Sequence, residues 1–482
     1  MRNSSILAVF LLCACAPQTV TAPDQPDRPI AGADGFQVAP DARVLAGRDQ
    51  QEKGVPSTPL TLPQLIDVAQ RNNPGTRAAW LRARQAAEAV GLVETTYLPR
   101  INAQILAGAA RSTRAGYQDP AGLLPDGTVS LGGNRAMAAV SLHWLLFDFG
   151  KRDAASAEAR ELSFAANVGF SGAHQTLIYE VTQAYHDLHA ATRREQVHAQ
   201  RLSNARSLSQ SARARRDQGL STIPDVARAD QSVAQAQFDL ARARSETRAA
   251  QTILTQRLGL PAGHPVRAAF PSHVRLPDQV PAALDGYIER SLSRRPDLQA
   301  AFARARASEQ HTRAVEAEFR PRIVASATLG HTLGSTSLSD SRLPGAATIR
   351  TDRPIASGFV GITIPLWDGG AKERRLRIAR DQNAATLAEA EGLRILAEAE
   401  IVGAYELLQS ALAANIAARE LVGTSRVSYE AAMKFAEEGL ASVAEVSLAR
   451  QLLLDAEIAQ IEAQHAAMSA AATLAFASGQ LG

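Results

Sequence analysis

Residues 78–84 of the chain have the sequence Ala-Ala-Trp-Leu-Arg-Ala-Arg, and residues 300–306 have Ala-Ala-Phe-Ala-Arg-Ala-Arg, an offset of 222. Phe147-Asp148-Phe149-Gly150 recurs as Trp367-Asp368-Gly369-Gly370, an offset of 220. A nearly constant offset between separate anchors indicates an internal duplication. The 482 residues therefore contain two copies of one unit, which we place at residues 58–283 and 284–482.

The N-terminal residues predict export from the cytoplasm and attachment to a membrane. An apolar run from Ile6 to Leu12 follows a basic residue, as in a secretory signal, and is too short for a spanning helix. The surroundings of Cys15 are similar to the acylation site of bacterial lipoproteins. We therefore expect a signal peptide at residues 1–14 and lipidation at Cys15. The alternative is a simple secretion signal with an incidental cysteine.

Composition narrows the class of protein further. Residues 15–57 are rich in proline, glycine, aspartate and glutamine, which predicts an extended, lipidated tether. The formal net charge is only +3 and no basic patch contains interleaved aromatic residues, so we expect no nucleic acid partner. No later segment has 18 consecutive apolar residues, so we predict no transmembrane helix.

Two pairs of alternating segments predict membrane-crossing β-strands. Apolar residues occupy every second position, as in a strand with one apolar face, and about ten residues suffice for a tilted strand to cross a bilayer. For one pair alone, an amphipathic hairpin on a soluble core would be the better interpretation. Two equivalent pairs behind an export signal favour membrane strands. We place the strands at about 100–111, 136–147, 322–333 and 358–367, with polar connections at about 112–134 and 335–357.

Each strand pair is followed by two long helices. No proline occurs between Lys151 and Gln218, and roughly 68 residues at 1.5 Å rise give about 100 Å of helix. From Val226 onward, apolar residues and alanines alternate at spacings of three and four, the pattern of a coiled-coil seam. A solvent-exposed coiled coil without a channel is the alternative interpretation of this pattern. We place the long helices at about 151–218, 223–258, 369–438 and 443–478.

Four membrane strands cannot close a barrel by themselves. An open sheet edge in lipid leaves backbone N–H and C=O groups unpaired, at a cost of several kcal/mol each. The chain is therefore expected to form an oligomer. Two copies would give eight strands with a filled interior, whereas three copies would give twelve strands and leave a lumen.

The duplicated order helix–strand–strand–helix–helix resembles the TolC family of outer-membrane factors, which are exit ducts of tripartite efflux pumps and type I secretion systems. The resemblance covers about residues 58–482 and includes Asn73-Pro74, Leu98-Pro99 and residues 364–370. The lipidated start is similar to the OprM-like branch. The resemblance implies a mainly α fold with membrane β: a homotrimer whose twelve-stranded β-barrel is continuous with a long α-helical barrel.

The same resemblance implies the partners and the location. A periplasmic adaptor protein and an inner-membrane transporter of the RND or ABC type would complete the assembly, and outer-membrane lipid would surround the barrel. The protein would be anchored in the outer membrane and extend into the periplasm. The cargo is not determined by the sequence.

The resemblance also assigns site residues. Glu445 occupies the position of a gate aspartate, and Asp225 is its counterpart in the first repeat; the alternative for Glu445 is an acid that complements the helix dipole. The family has an arginine where this chain has Ala441 and an acidic ring where it has Leu448, so we expect fewer polar links in the gate. The turns that would meet the adaptor are Gly219, Leu220, Ser221 and Thr222, and Gly439, Leu440, Ala441 and Ser442.

The sequence contains no recognisable enzyme signature. It has no phosphate-binding glycine loop, no GxSxG and no cysteine metal pattern, and we expect neither catalysis nor a cofactor. His186 and His189 could share a helix face, but without a third ligand nearby we expect a solvated surface. We predict a passive conduit. The alternative function is a periplasmic coiled-coil adaptor or scaffold lipoprotein, which predicts one helical hairpin and no strand pairs.

Overall fold

The computed structural model describes residues 58–481 except 118–126, 220, 262, 265, 272–275, 277–283, 342–344, 439 and 442. The predicted signal peptide, the tether and Cys15 lie outside these residues. Leu220, Gly439 and Ser442 of the predicted turns lie outside them as well.

Both repeats contain the same elements in the same order. The first consists of α1 (Leu62–Asn72), α2 (Pro74–Glu94), β1 (Arg100–Tyr117), β2 (Gly127–Phe147), α3 (Lys151–Asp217) and α4 (Ile223–Arg257). The second consists of α5 (Leu284–Arg294), α6 (Pro296–Glu316), β3 (Arg322–Asp340), β4 (Ala346–Thr363), α7 (Ala371–Glu437) and α8 (Val443–Ala477). Corresponding helices have equal lengths of 11, 21, 67 and 35 residues, as expected for a duplication.

Local sequence sets the boundaries of the helices. Asn73 caps α2, because its Oδ1 accepts a hydrogen bond from the backbone N–H of Gly75 at 2.7 Å. Pro74 follows at the first helical position, where its missing N–H leaves no bond unmade. Gly150 and Gly370 precede α3 and α7 with φ angles of 98° and 81°. Glycine adopts this left-handed conformation without strain, so the chain can turn there from strand to helix.

The four strands form a single antiparallel sheet in the order β1-β2-β3-β4. The two repeats share this sheet, because β2 pairs with β3 from Val129 opposite Asp340 to Phe147 opposite Ile323. β1 and β4 form its two edges, and among the residues described neither strand has a partner on its outer side.

The strands differ from the predicted ones. The limits near 111 and 136 are wrong, since β1 continues to Tyr117 and β2 begins at Gly127; β3 and β4 likewise extend well into the predicted connection at 335–357. The predicted end of β4 at 367 is also wrong, because the strand ends at Thr363. Backbone pairing continues through pairs such as Arg111 and Gly132. The regular alternation of apolar and polar side chains stops in these segments, which removes the sequence signal while the backbone ladder persists.

The register of the sheet brings the predicted apolar positions onto one face, called here the apolar face. One row across the four strands contains Ala103, Val140, Leu329 and Ala356. Val140 and Leu329 are 47% and 65% exposed, so the described chain does not cover this face. The adjacent row on the opposite face is polar and contains Asn102, Ser141, Thr328 and Ser357. Strands with lipid on one side and water on the other have this pattern.

The helices pack around two cores. In the first repeat, α1, α3 and α4 bury Leu65, Val181 and Leu254 completely. In the second, α5, α7 and α8 surround Ile401, which is also fully buried. α3 packs along α4 and α7 along α8, and α3 also contacts α6 and α8. These contacts of α3 join the two repeats.

Helix α7 carries a large apolar surface. Its Ala371–Ala436 stretch contains an 18-residue window with a mean hydropathy of 1.2, of which one third is buried, so by length and composition it could cross a membrane. The stretch contains no continuous run of 18 apolar residues, the criterion used in the sequence analysis; scattered alanine, leucine and isoleucine raise its mean hydropathy instead. Ile378 and Ile416 of this helix are 67% and 63% exposed.

Candidate functional site

The first predicted adaptor turn joins α3 to α4. Gly219 follows the C-terminal end of α3 with a φ of 77°, and its N–H donates a hydrogen bond to the carbonyl of Arg216 at 2.8 Å. Thr222 is the N-cap residue of α4. Gly219 and Thr222 are exposed and Ser221 is half-buried, so the described part of this turn is accessible.

Asp225 completes a capping box at the start of α4. Its Oδ2 accepts hydrogen bonds from the backbone N–H and the hydroxyl of Thr222, at 3.0 and 2.5 Å. These bonds, the hydroxyl bond first, hold the pKa of the Asp225 carboxyl below its usual value. The carboxylate is therefore ionised at neutral pH, and its observed contacts are those of a helix cap.

The second predicted turn joins α7 to α8. The N–H groups of Leu440 and Ala441 both donate to the carbonyl of Phe435, at 2.7 and 3.1 Å, and the Leu440 side chain is 73% exposed. Glu445 lies exposed in the first turn of α8, at the position that Asp225 has in α4. This position fits both interpretations of Glu445, as a gate residue and as an acid complementing the helix dipole.

A groove of about 650 Å³ lies near the turns, between the α3–α4 hairpin and α8. Arg201, Arg228 and Arg450 make its lining basic, and Val446 and Leu454 add apolar surface. A surface of this kind can bind acidic side chains that flank an apolar contact.

His186 and His189 do not form a solvated surface, so that prediction is wrong. His189 is 6% exposed and stacks on Phe270, with ring centroids 4.7 Å apart. Burial first, and then the neighbouring His465 and His189, lower the pKa of His186 from 6.5 to about 4. Phe270 lies far from His189 in the sequence, so helical periodicity could not reveal that the Phe270 ring covers His189. Among the residues described, no cluster of three or more His, Cys, Asp or Glu is arranged to hold a metal ion.

The seam between the repeats is polar where α3 meets α8. Gln183 donates a hydrogen bond from Nε2 to the carbonyl of Ser469 at 3.1 Å, and Nε2 of His465 lies 2.7 Å from Oδ1 of Asp187. A ring contact at 4.6 Å, between Tyr179 and Phe476, continues this seam.

The two repeats also contact each other where α3 packs against α6. The guanidinium of Arg306 lies 2.9 Å from the carboxylate of Glu161. Gly172 packs so closely against Pro296 that a Cβ on the glycine would lie 3.2 Å from the Cβ of the proline.

Sequence reasoning missed a buried ion pair at the junction of β2 and α3. Arg152 and Asp148 are four residues apart in the repeated segment after β2, with their side chains only 10% and 6% exposed. Their i, i+4 spacing directly after a duplicated anchor could have identified the pair.

Comparison with known proteins agrees with this architecture. The sequence pattern of the family described as outer membrane efflux protein matches residues 65–260 and 287–480. Over 427 residues the chain is 28% identical to protein CyaE of Bordetella pertussis, covering 88% of this chain and 85% of CyaE. It is 27% identical over 422 residues to the pyoverdine export outer membrane protein OpmQ of Pseudomonas putida, covering 86% and 82%. The solved outer-membrane channel OprN superposes with a TM-score of 0.70 at 24% identity, covering 87% of this chain and 89% of that one.

Proposed function

The chain belongs to the outer membrane efflux protein family, as its resemblance to the TolC family predicted, and from that premise we propose that three copies form a duct through the outer membrane and the periplasm. Export across the outer membrane is the function of the chain. The trimer, the anchor, the partners and the gate are the parts that we propose.

The open sheet carries the proposal of an oligomer. The edge strands β1 and β4 each have 18 residues, and the apolar face beside them is uncovered in one copy. In lipid, each unpaired backbone group at such an edge would cost several kcal/mol. Pairing β4 of one copy with β1 of the next would remove both edges. Three copies give twelve strands, enough to leave a lumen between the side chains.

The long helices support a periplasmic tunnel. α3 starts four residues after the end of β2, and α7 starts eight residues after the end of β4. Each of these helices has 67 residues, which at 1.5 Å rise extend about 100 Å. The alternative of an adaptor or scaffold lipoprotein predicts one helical hairpin and no strand pairs. The two hairpins and four strands described here argue against it.

The N-terminal residues would fix the duct to the membrane. Acylation at Cys15 would bury several alkyl chains, at about 0.8 kcal/mol per CH₂ group. The tether at residues 15–57 would then connect the anchor to the first repeat.

The turns at the far end of the hairpins would receive a periplasmic adaptor. The exposed Leu440 and the basic groove with Arg201, Arg228 and Arg450 favour a partner helix that has apolar and acidic side chains. An inner-membrane transporter, of the RND or ABC type, would supply the energy. Glu445 would line the constriction at this end, where three carboxylates around one axis would repel each other and favour a bound cation.

Reconstitution tests the proposal directly. The purified protein should run as a trimer on a denaturing gel until it is heated, and it should conduct ions when it is inserted into a planar bilayer. A preparation dissociated by heat is the control for conductance caused by contaminants. A water-soluble monomer that gives no conductance would refute the duct.

A further inference from the structure

The internal seam of the chain indicates how two copies would meet. Within one copy the repeats meet through β2 with β3, α3 with α6, and α3 with α8. In a closed ring the second repeat of one copy must meet the first repeat of the next through the counterpart elements. These are β4 with β1, α7 with α2, and α7 with α4. We propose that a second copy docks on α7 and β4 through residues that are counterparts of the internal seam; this rests on the proposed oligomeric duct.

The glycine and the proline of one close contact both occur twice in the sequence, but a single copy of the chain makes this contact only once. Gly172 of α3 packs against Pro296, the first residue of α6. The duplication offsets place Gly392 at the position of Gly172 and Pro74 at that of Pro296. A Cβ on Gly392 would meet nothing within 4 Å in one copy, although glycine destabilises a helix interior relative to alanine. Pro74 of a second copy explains this glycine.

A pair of strand glycines shows the same asymmetry. A Cβ on Gly330 of β3 would lie 2.7 Å from the carbonyl oxygen of Ala138 in β2. Its counterpart Gly108 lies on the edge strand β1, and a Cβ there would meet nothing within 4 Å. The close approach that requires Gly330 inside one copy would require Gly108 once β4 of a second copy pairs with β1.

An ion pair is also repeated. Glu161 of α3 pairs with Arg306 of α6, and the counterparts are Asp381 of α7 and Arg84 of α2. Asp381 and Arg84 are both exposed, and neither has an ion-pair partner within the described part of the chain. Their charges are opposite, so a second copy placed by the duplication would bring together an attractive pair.

The contact between α7 and α4 of a neighbouring copy would differ in polarity from its internal counterpart, the contact between α3 and α8. The internal residues Gln183, Asp187 and Thr473 are polar and hydrogen-bonded. Their counterparts are Gly403, Leu407 and Ile253, and the latter two are 54% and 46% exposed. At these three positions the internal seam is polar, whereas the contact between α7 and α4 of neighbouring copies would be apolar. The exposed apolar surface of α7 would be buried by the neighbouring α4.

Paired cysteines test the seam with a matched control. Gly392→Cys combined with Pro74→Cys should form a disulfide between copies. At the internal counterpart a Cβ on Gly172 would lie 3.2 Å from the Cβ of Pro296, and a small outward shift brings such a pair to the roughly 3.5–4.5 Å of a disulfide. Mild oxidation of the assembled protein should convert most of it to covalent dimers and trimers that persist on a denaturing gel after heating without reductant. Gly172→Cys combined with Pro296→Cys should lose its free thiols and remain monomeric on the same gel.

Charge exchange provides a second test that does not depend on the cysteines. Asp381→Arg should lower the temperature at which trimers dissociate, and adding Arg84→Asp should restore it. Trimers that conduct ions but show neither inter-copy disulfides nor charge rescue would overturn the seam and leave the duct intact. Absence of trimers and conductance in the unmodified protein would instead refute the duct.

Discussion

The guanidinium of Arg152 lies 3.0 Å from the carboxylate of Asp148, where β2 ends and α3 begins. Arg152 also donates hydrogen bonds to the carbonyls of Thr96, Leu145 and Leu146, at 3.1, 2.8 and 3.2 Å. One buried cation therefore joins the helix to the strand and to the turn before β1. The second repeat has Lys372 and Asp368 at these positions, and Asp368 is 28% exposed.

Replacing Arg152 by methionine should destabilise this junction strongly. The Asp148 carboxylate would remain buried without its cation, a change that typically costs about 3–5 kcal/mol. Lys372→Met is the matched control; Asp368 pairs with Arg375 at 3.4 Å and would keep that cation, so the loss should be below about 1 kcal/mol. Guanidinium unfolding followed by tryptophan fluorescence measures both variants. Equal losses would contradict the special role of the first junction.

Acid should destabilise the helical region through His186. Its pKa falls from 6.5 to about 4 on folding, so the unfolded chain binds more protons between these values and stability decreases as the pH falls through this window. The expected loss is roughly 2 kcal/mol per chain at pH 5. The nearby groups are His189, His465 and Asp187.

His186→Leu should remove the part of this acid sensitivity that comes from His186, while His189, whose pKa burial also lowers, keeps its own share. The measurement compares the free energy of unfolding in guanidinium, followed by tryptophan fluorescence, at pH 7.5 and at pH 5. His311→Gln is the control, because His311 is exposed and pairs with Glu158. If both variants kept the full acid sensitivity, titration of His186 would not be its cause.

An arginine on the apolar face should impair insertion into the membrane. Leu329→Arg would place a charge toward lipid, at a cost of roughly 2–4 kcal/mol near the bilayer centre. Thr328→Arg places the same side chain on the opposite face of β3 and should insert normally. The fraction of heat-resistant trimer recovered from outer membranes distinguishes them. Normal recovery of the Leu329 variant would show that this face is not in contact with lipid.

The two acids in the first helical turns should differ in function. Glu445→Gln should change the leak of the closed duct and its block by divalent cations, because three carboxylates would be removed from the axis. Asp225→Asn should leave both unchanged, since an amide oxygen can still accept the hydrogen bonds of Thr222. Single-channel recordings test the pair. Identical behaviour of the two variants would favour a capping role for Glu445.

The sequence predicted the order of elements well because the duplication provides each signal twice. The predicted helix start at 151 and the predicted strand starts at about 100 and 322 agree with the structure, whereas α7 begins at Ala371 and was predicted from about 369. The outer parts of the strands were missed, since beyond Arg111 the side chains no longer alternate regularly while the backbone still pairs.

The site was less predictable than the fold. The buried state of His189 depends on Phe270, which comes from the segment after α4 and leaves no periodic signal. The capping role of Asp225 follows from its distance of three residues from Thr222, a short-range pattern that sequence can reveal. Arg152 has the simple i, i+4 spacing to Asp148, but its burial depends on three carbonyls from two other elements.

Joining both repeats in one polypeptide changes the thermodynamics of building the ring. Six free units would have to lose rigid-body freedom in five encounters, whereas three fused chains need two. Each encounter costs an estimated 4–15 kcal/mol at the standard concentration. In the proposed trimer the covalent link would therefore make half of the contacts independent of concentration, so that chains at low concentration could still complete the cylinder.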